Sequence, residues 1–116
     1  MSKRDDRVPL QHMIDHCRLA VELSLGRKRE DLDGDDLYRL AMIRAVEVIG
    51  EAATRLSPGF RNKYQTFPWT QIIGARNRLI HGYDQISTSI LWEILSRDVP
   101  ELLVHLEKML KSFPSE

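Results

Sequence analysis

The stretch DDLYRLAMIRAVEVIGEAATRL, residues 35–56, decides how this chain folds. At about 100° per residue, Leu40, Arg44, Glu47, Glu51 and Arg55 fall on one narrow stripe. Ala41, Met42, Ile43, Ala45, Val46, Val48, Ile49, Ala52, Ala53 and Leu56 fill nearly all the rest of the circumference. The period is helical, the leading aspartates suit an N-cap, and Ser57-Pro58-Gly59 ends the run. An apolar arc of well over half the wheel exceeds what one neighbouring pair of helices covers. It predicts a second protomer against this helix, with a central place in a monomeric bundle as the alternative.

Upstream, Leu10, Met13, Ile14, Cys17, Ala20, Val21, Ser24 and Leu25 recur at three and four residues, and Gly26 stops a first helix. The charged run RKREDLDGDD between the two helices reads as a solvated connector. Downstream, residues 60–66 carry a faint helical turn, and Pro68 opens a third long helix to about His81, stopped by Gly82. A last segment is capped by Ser87 or Thr88 and carries Leu91, Leu95, Leu102, Leu106 and Met109. Pro100 interrupts it. Asp98 and Glu101 stand in capping-box relation, which makes Pro100 a kink or restart rather than an end. No alternating strand pattern and no repeat competes, so the class is all-α.

With 116 residues the chain is expected to form a single domain over 1–116 with one core. Hydrophobic residues at 42% and charged residues at 29% exclude intrinsic disorder. One cysteine, Cys17, leaves neither an internal disulfide nor a cysteine pair for zinc, so a reducing, cytoplasmic setting is expected. Neither an export signal nor a membrane span is expected from the apolar runs. Seventeen basic and seventeen acidic side chains cancel, so a polyanionic partner must be met by a local patch.

That patch exists in the sequence. Between Ala52 and Tyr83 there is no acidic residue, while Arg55, Arg61, Lys63, Arg76 and Arg78 lie within it. Tyr64, Phe67, Trp69 and Tyr83 are interleaved, side chains that can stack on bases, although core packing is the better account of Phe67 and Trp69. With Trp69 at zero on the wheel, Arg76 lies about 20° away, amid Ile72, Ile73 and Ile80. An arginine on an apolar face is paired, faces a ligand, or snorkels to an edge. An ion pair to Glu47 or Glu51 is the plainest of these. His81 has the pKa range for proton transfer, but on a regular helix it points about 140° from Arg76. Unwinding near Gly82, or a loop from a second chain, would be needed to unite them. His12, His16 and His105 read as structural. Cys17, on an apolar stripe, reads as a small core residue rather than a nucleophile.

Other templates fail. There is no glycine-rich phosphate loop, HExxH or GxSxG, and no clustered ligand set for a metal, so no cofactor is expected. DLDGDD lacks the spacing of a calcium loop.

The string from Arg76 to Tyr83, RNRLIHGY, resembles the Arg-x4-His-x-Tyr signature of HEPN-domain toxins of the HepT type, ribonuclease partners of MNT-type minimal nucleotidyltransferase antitoxins. VIGEAATRL (48–56), PWTQIIG (68–74) and LWEILSRDVPELL (91–103) are similar to that family as well, so the likeness spans most of the chain. The resemblance implies an up-and-down bundle of four to five helices that dimerises, with Arg76 and His81 of both chains lining a basic cleft. It implies metal-independent endonucleolytic cleavage of RNA, tRNA or mRNA, by attack of the ribose 2′-OH. His81 would be the general base or acid, Arg76 the stabiliser of phosphoryl charge, Asn77 an orienting group and Glu51 a support for Arg76. Arg55, Arg61, Lys63 and Arg78 would hold RNA. Tyr83 would accept AMP from the cognate nucleotidyltransferase antitoxin, in a homodimer or a larger hetero-oligomer with that partner. The family also implies an alternative: a non-catalytic nucleotide-binding, substrate-binding or assembly subunit of the transferase.

Overall fold

A computed structural model describes residues 5–82 and 87–113, and the side chains within them other than those of 78–82. It is helical along nearly all of that length. The elements are α1 (Arg7–Leu23), α2 (Arg29–Gly34), α3 (Asp36–Arg55), α4 (Pro58–Lys63), α5 (Trp69–Gly82) and α6 (Thr88–Glu93). A π-helical turn, Ile94–Asp98, then leads into α7 (Val99–Lys111).

The four long helices run up, down, up and down. At one end of α1 the Asp6 carboxylate accepts from both the backbone N–H and the hydroxyl of Ser57, each at 2.7 Å, fastening it beside the C-terminal end of α3. At the other end Ser24 and the Tyr38 hydroxyl meet at 2.7 Å, so α1 and α3 are antiparallel. The end of α7 returns to the first end, where Phe113 stacks on Phe60 at 5.8 Å and Tyr64 bonds Ser112 at 2.8 Å. Leu10, Met13, Ile14 and Cys17 of α1, Met42 and Ala53 of α3, and Leu95 and Leu106 of the last segment form the centre of the core.

Residue chemistry accounts for the element ends. Asp35 accepts from the Tyr38 N–H at 3.1 Å and starts α3 where the sequence places it. Ser57 caps α4 and Ser87 caps α6 in the same way. Gly26 adopts φ +74°, a left-handed turn that a side chain would strain, just beyond the end of α1.

Three expectations are corrected. The run 27–36 is not simply a solvated connector: α2 forms there, the Asp31 carboxylate accepting from the Lys28 N–H at 2.8 Å, and Leu32 is fully buried. One apolar residue in a charged stretch is enough to dock a turn of helix. Pro100 does continue a helix, but Asp98 makes no side-chain cap bond. The register change is taken by the π-helical turn instead. α5 is described as far as Gly82, and its backbone is helical to that residue. Finally, α3 is the central helix, packed on α1 along one flank and α5 along the other, so most of its wide apolar arc is covered by its own chain. Leu37, Leu40 and Ala41 near its start stay exposed. The sequence argument for a second protomer thus loses its premise along most of this helix.

The fourth side of the bundle stays open. Among the described residues α5 packs principally on α3 and stands apart from α7. Between them runs a groove of about 770 Å³, floored by Val46 and Ile49 and walled by Phe67, Ile72, Ile94 and Leu102.

Candidate active site

Arg76 stands one turn after Ile72, which is buried against the core. Its aliphatic stem crosses α3 at Gly50: a Cβ built there would overlap Arg76 Cβ and lie 2.8 Å from its Cγ and 3.3 Å from the Ile72 carbonyl. The residue is half-buried, and its Nε is shut off from solvent with no hydrogen-bond partner among the described residues. One terminal nitrogen donates to Asn77 Oδ1 at 2.7 Å.

The expected ion pair is not formed. Glu47 lies 3.9 Å from Arg44, and among the described residues neither Glu47 nor Glu51 comes within 4 Å of the Arg76 guanidinium. Glu51 is half-buried on α3 immediately after Gly50. A guanidinium that has lost part of its hydration, and whose Nε–H has no acceptor, is short of an anion. Leaving a donor unsatisfied costs about 1–3 kcal/mol, which a phosphoryl oxygen in reach would recover.

The remaining predicted residues are distributed unevenly. His81 and Arg78 lie on α5, with their side chains outside the described ones, and Tyr83 lies outside the described residues. Since α5 is helical up to Gly82, its backbone sets positions 76 and 81 about 140° apart around the axis. Unwinding therefore does not unite Arg76 and His81 in one chain. The predicted RNA patch is spread lengthwise. Arg76 faces the middle of α3, whereas Arg55 closes α3 and Arg61 and Lys63 lie on α4 beyond it. The Lys63 ammonium sits 5.5 Å from the Tyr64 ring.

Trp69 is buried as expected, donating Nε1–H to the Tyr64 carbonyl at 3.1 Å, with Phe67 packed on it at 4.5 Å. Phe67 also lines the groove. His16 Nδ1 meets the His12 carbonyl at 2.9 Å, a structural role. His105 differs: it is exposed on the groove rim, edge-on to Phe67 at 6.1 Å. Cys17 is buried, and burial pushes its thiol up to about 12, so it is no nucleophile. Among the described residues no group of three or more His, Cys, Asp or Glu is placed to hold a metal ion, and no helix is long and apolar enough to cross a membrane.

Sequence reasoning passes over Gly50. Its signal is a lone glycine inside an otherwise apolar helix, where alanine would be favoured by about 1 kcal/mol; such a glycine marks a close approach.

Comparison with known proteins identifies the family. Residues 13–109 match the family model described as "Ribonuclease HepT-like". A protein of Methanocaldococcus jannaschii named "Putative RNase MJ1380" is 35% identical over 107 residues, covering 92% of this chain and 98% of its own length. "Putative RNase TTE0752" of Caldanaerobacter subterraneus subsp. tengcongensis is 34% identical over 102 residues, 88% of this chain and 91% of that protein. "Probable ribonuclease HepT" of Thermococcus cleftensis is 30% identical over 109 residues, 94% and 99% of the two chains. No solved structure matches. With the helical bundle, the anion-seeking arginine and a family match over most of its length, the chain belongs to the Ribonuclease HepT-like family, as a HEPN-type ribonuclease acting on RNA.

Proposed function

We propose that this chain is the toxin of a toxin–antitoxin pair, a metal-independent endoribonuclease of the cytoplasm that is silenced by AMP attached to Tyr83. In the cleavage step His81 takes the proton from a ribose 2′-OH, the oxygen attacks the adjacent phosphorus, and the P–O5′ bond breaks. The products are a 2′,3′-cyclic phosphate and a 5′-hydroxyl, whose proton comes from an imidazolium. Arg76 stabilises the charge on the phosphoryl oxygens, with Asn77 orienting its guanidinium through their hydrogen bond. Glu51, beside Gly50, belongs to the wall that supports Arg76. Arg55, Arg61, Lys63 and Arg78 form a track for flanking phosphates along the α3–α5 side.

The observation that carries this reading is the Arg76 guanidinium, half-buried, with no carboxylate within 4 Å among the described residues and an Nε that lacks an acceptor. A structural arginine would be neutralised in place. Because positions 76 and 81 diverge around one helix, the reaction draws on a homodimer in which Arg76 of one chain works with His81 of the other. Silencing follows from the same electrostatics. The Tyr83 hydroxyl attacks the α-phosphorus of ATP in the antitoxin's active site, pyrophosphate leaves, and the new phosphodiester competes with RNA for the cationic site.

Purified protein should be a dimer by light scattering and should cleave RNA. Arg76→Ala should lower kcat by about 10²–10³-fold and His81→Ala by about 10²–10⁴-fold, and both should relieve growth arrest. Equal inertness of wild type and variants would favour a non-catalytic subunit of the transferase. Incubation with the cognate nucleotidyltransferase and ATP should add AMP by intact mass, and the addition should vanish in Tyr83→Phe. Its persistence would reject the site.

A further inference from the structure

We infer that Gly50 is a positioning residue for the reaction: the absence of a side chain there sets the height at which Arg76 crosses α3, and so where its guanidinium meets the phosphate. The inference rests on the role assigned to Arg76 above and adds a residue that touches no substrate.

Gly50 is buried in the middle of α3, and the atoms nearest a Cβ built on it are Arg76 Cβ, Arg76 Cγ at 2.8 Å and the Ile72 carbonyl at 3.3 Å. These are not the pliable end of a side chain. Cβ moves with the backbone, so any larger residue at 50 pushes α5 away at the turn that carries Arg76. Beside that turn lies the groove, lined by Ile72 and Ala75, so α5 has room to shift rather than forcing α3 to unfold. Meanwhile the close crossing is what shuts Arg76 Nε off from water while leaving it without an acceptor. Gly74, on the same helix, has nothing within 4 Å of a built Cβ, and gains the same backbone preference from alanine without touching the crossing.

The test compares wild type, Gly50→Ala and Gly74→Ala. Two readouts are used: RNA cleavage, and the ¹⁵N–¹H cross-peak of Arg76 Nε, identified by its loss in Arg76→Lys. Gly50→Ala should melt cooperatively with helical circular dichroism yet lose kcat on the order of 100-fold, as a displacement of about 1 Å does to aligned groups. Its KM should stay within about threefold, because phosphate contacts elsewhere still hold the RNA. The Arg76 Nε proton, slow to exchange in wild type, should shift and exchange faster. Gly74→Ala should match wild type in both. Wild-type kcat or an unchanged cross-peak in Gly50→Ala would overturn the inference. Should that variant not fold, wild type decides alone: an Nε proton exchanging as fast as that of free arginine overturns the seat. If wild type cleaves no RNA while the cross-peak is protected and moves in Gly50→Ala, the seat stands and the ribonuclease role of Arg76 falls.

Discussion

A cation stripped of part of its water and a thiol stripped of all of it show the same physics with opposite results. Arg76 is left with an Nε–H that has no acceptor among the described residues, a deficit that an oxygen of a bound anion would meet with a charge-assisted bond. Cys17 escapes by staying protonated: burial raises its thiol from 9.0 to about 12. A folded-state pKa above the unfolded one stabilises the protein below the unfolded value, and that stability fades as pH rises from about 9 towards 12. The urea midpoint should therefore fall further between pH 8 and pH 10.5 for wild type than for Cys17→Ala. The excess is up to about 1.4 kcal/mol per pH unit in that window. In the native protein the thiol should also resist alkylating reagents at neutral pH.

Among elements, α2 shows how little sequence signal a helix needs when it has a place to dock. Leu32→Ala should cost about 2–5 kcal/mol, as for any filled core site, measured by urea denaturation. A loss below about 0.5 kcal/mol, normal for a surface linker, would contradict its burial. The long helices were legible because their apolar period repeats over several turns and because Asp35, Ser57 and Ser87 are good caps. Nothing local distinguishes a single leucine in RKREDLDGDD from a solvated one, since only the packed bundle supplies its pocket. The π-helical turn is hidden for a related reason. One extra residue per turn is a tertiary adjustment, and Pro100 reveals that a change of register occurs without revealing its form. At the candidate site the wheel placed Arg76 on an apolar face correctly but supplied a carboxylate that the fold does not bring. Gly50, in contrast, was visible in the letters and lacked meaning until α5 was seen to cross it.

At the scale of the whole molecule, α1 is gripped by α3 and α7 and α3 by α1 and α5, while among the described residues α5 rests mainly on α3, with Trp69 at its start held against Phe60, beside an unfilled groove. Free energy of opening is set by what an element must give up, so the segment that carries Arg76, flanked by the groove, is expected to open more readily than the central α3. Backbone amides of Ile72 to Arg76 should lose protons to deuterium sooner than those of Met42 to Ile49, at a common rate that marks one cooperative unit. Equal protection factors for the two sets would mean that the bundle opens only as a whole. A nuclease assembled on such a strut has its potency tied to a small conformational gap, and whatever settles into the vacant flank would tune the enzyme without touching its chemistry.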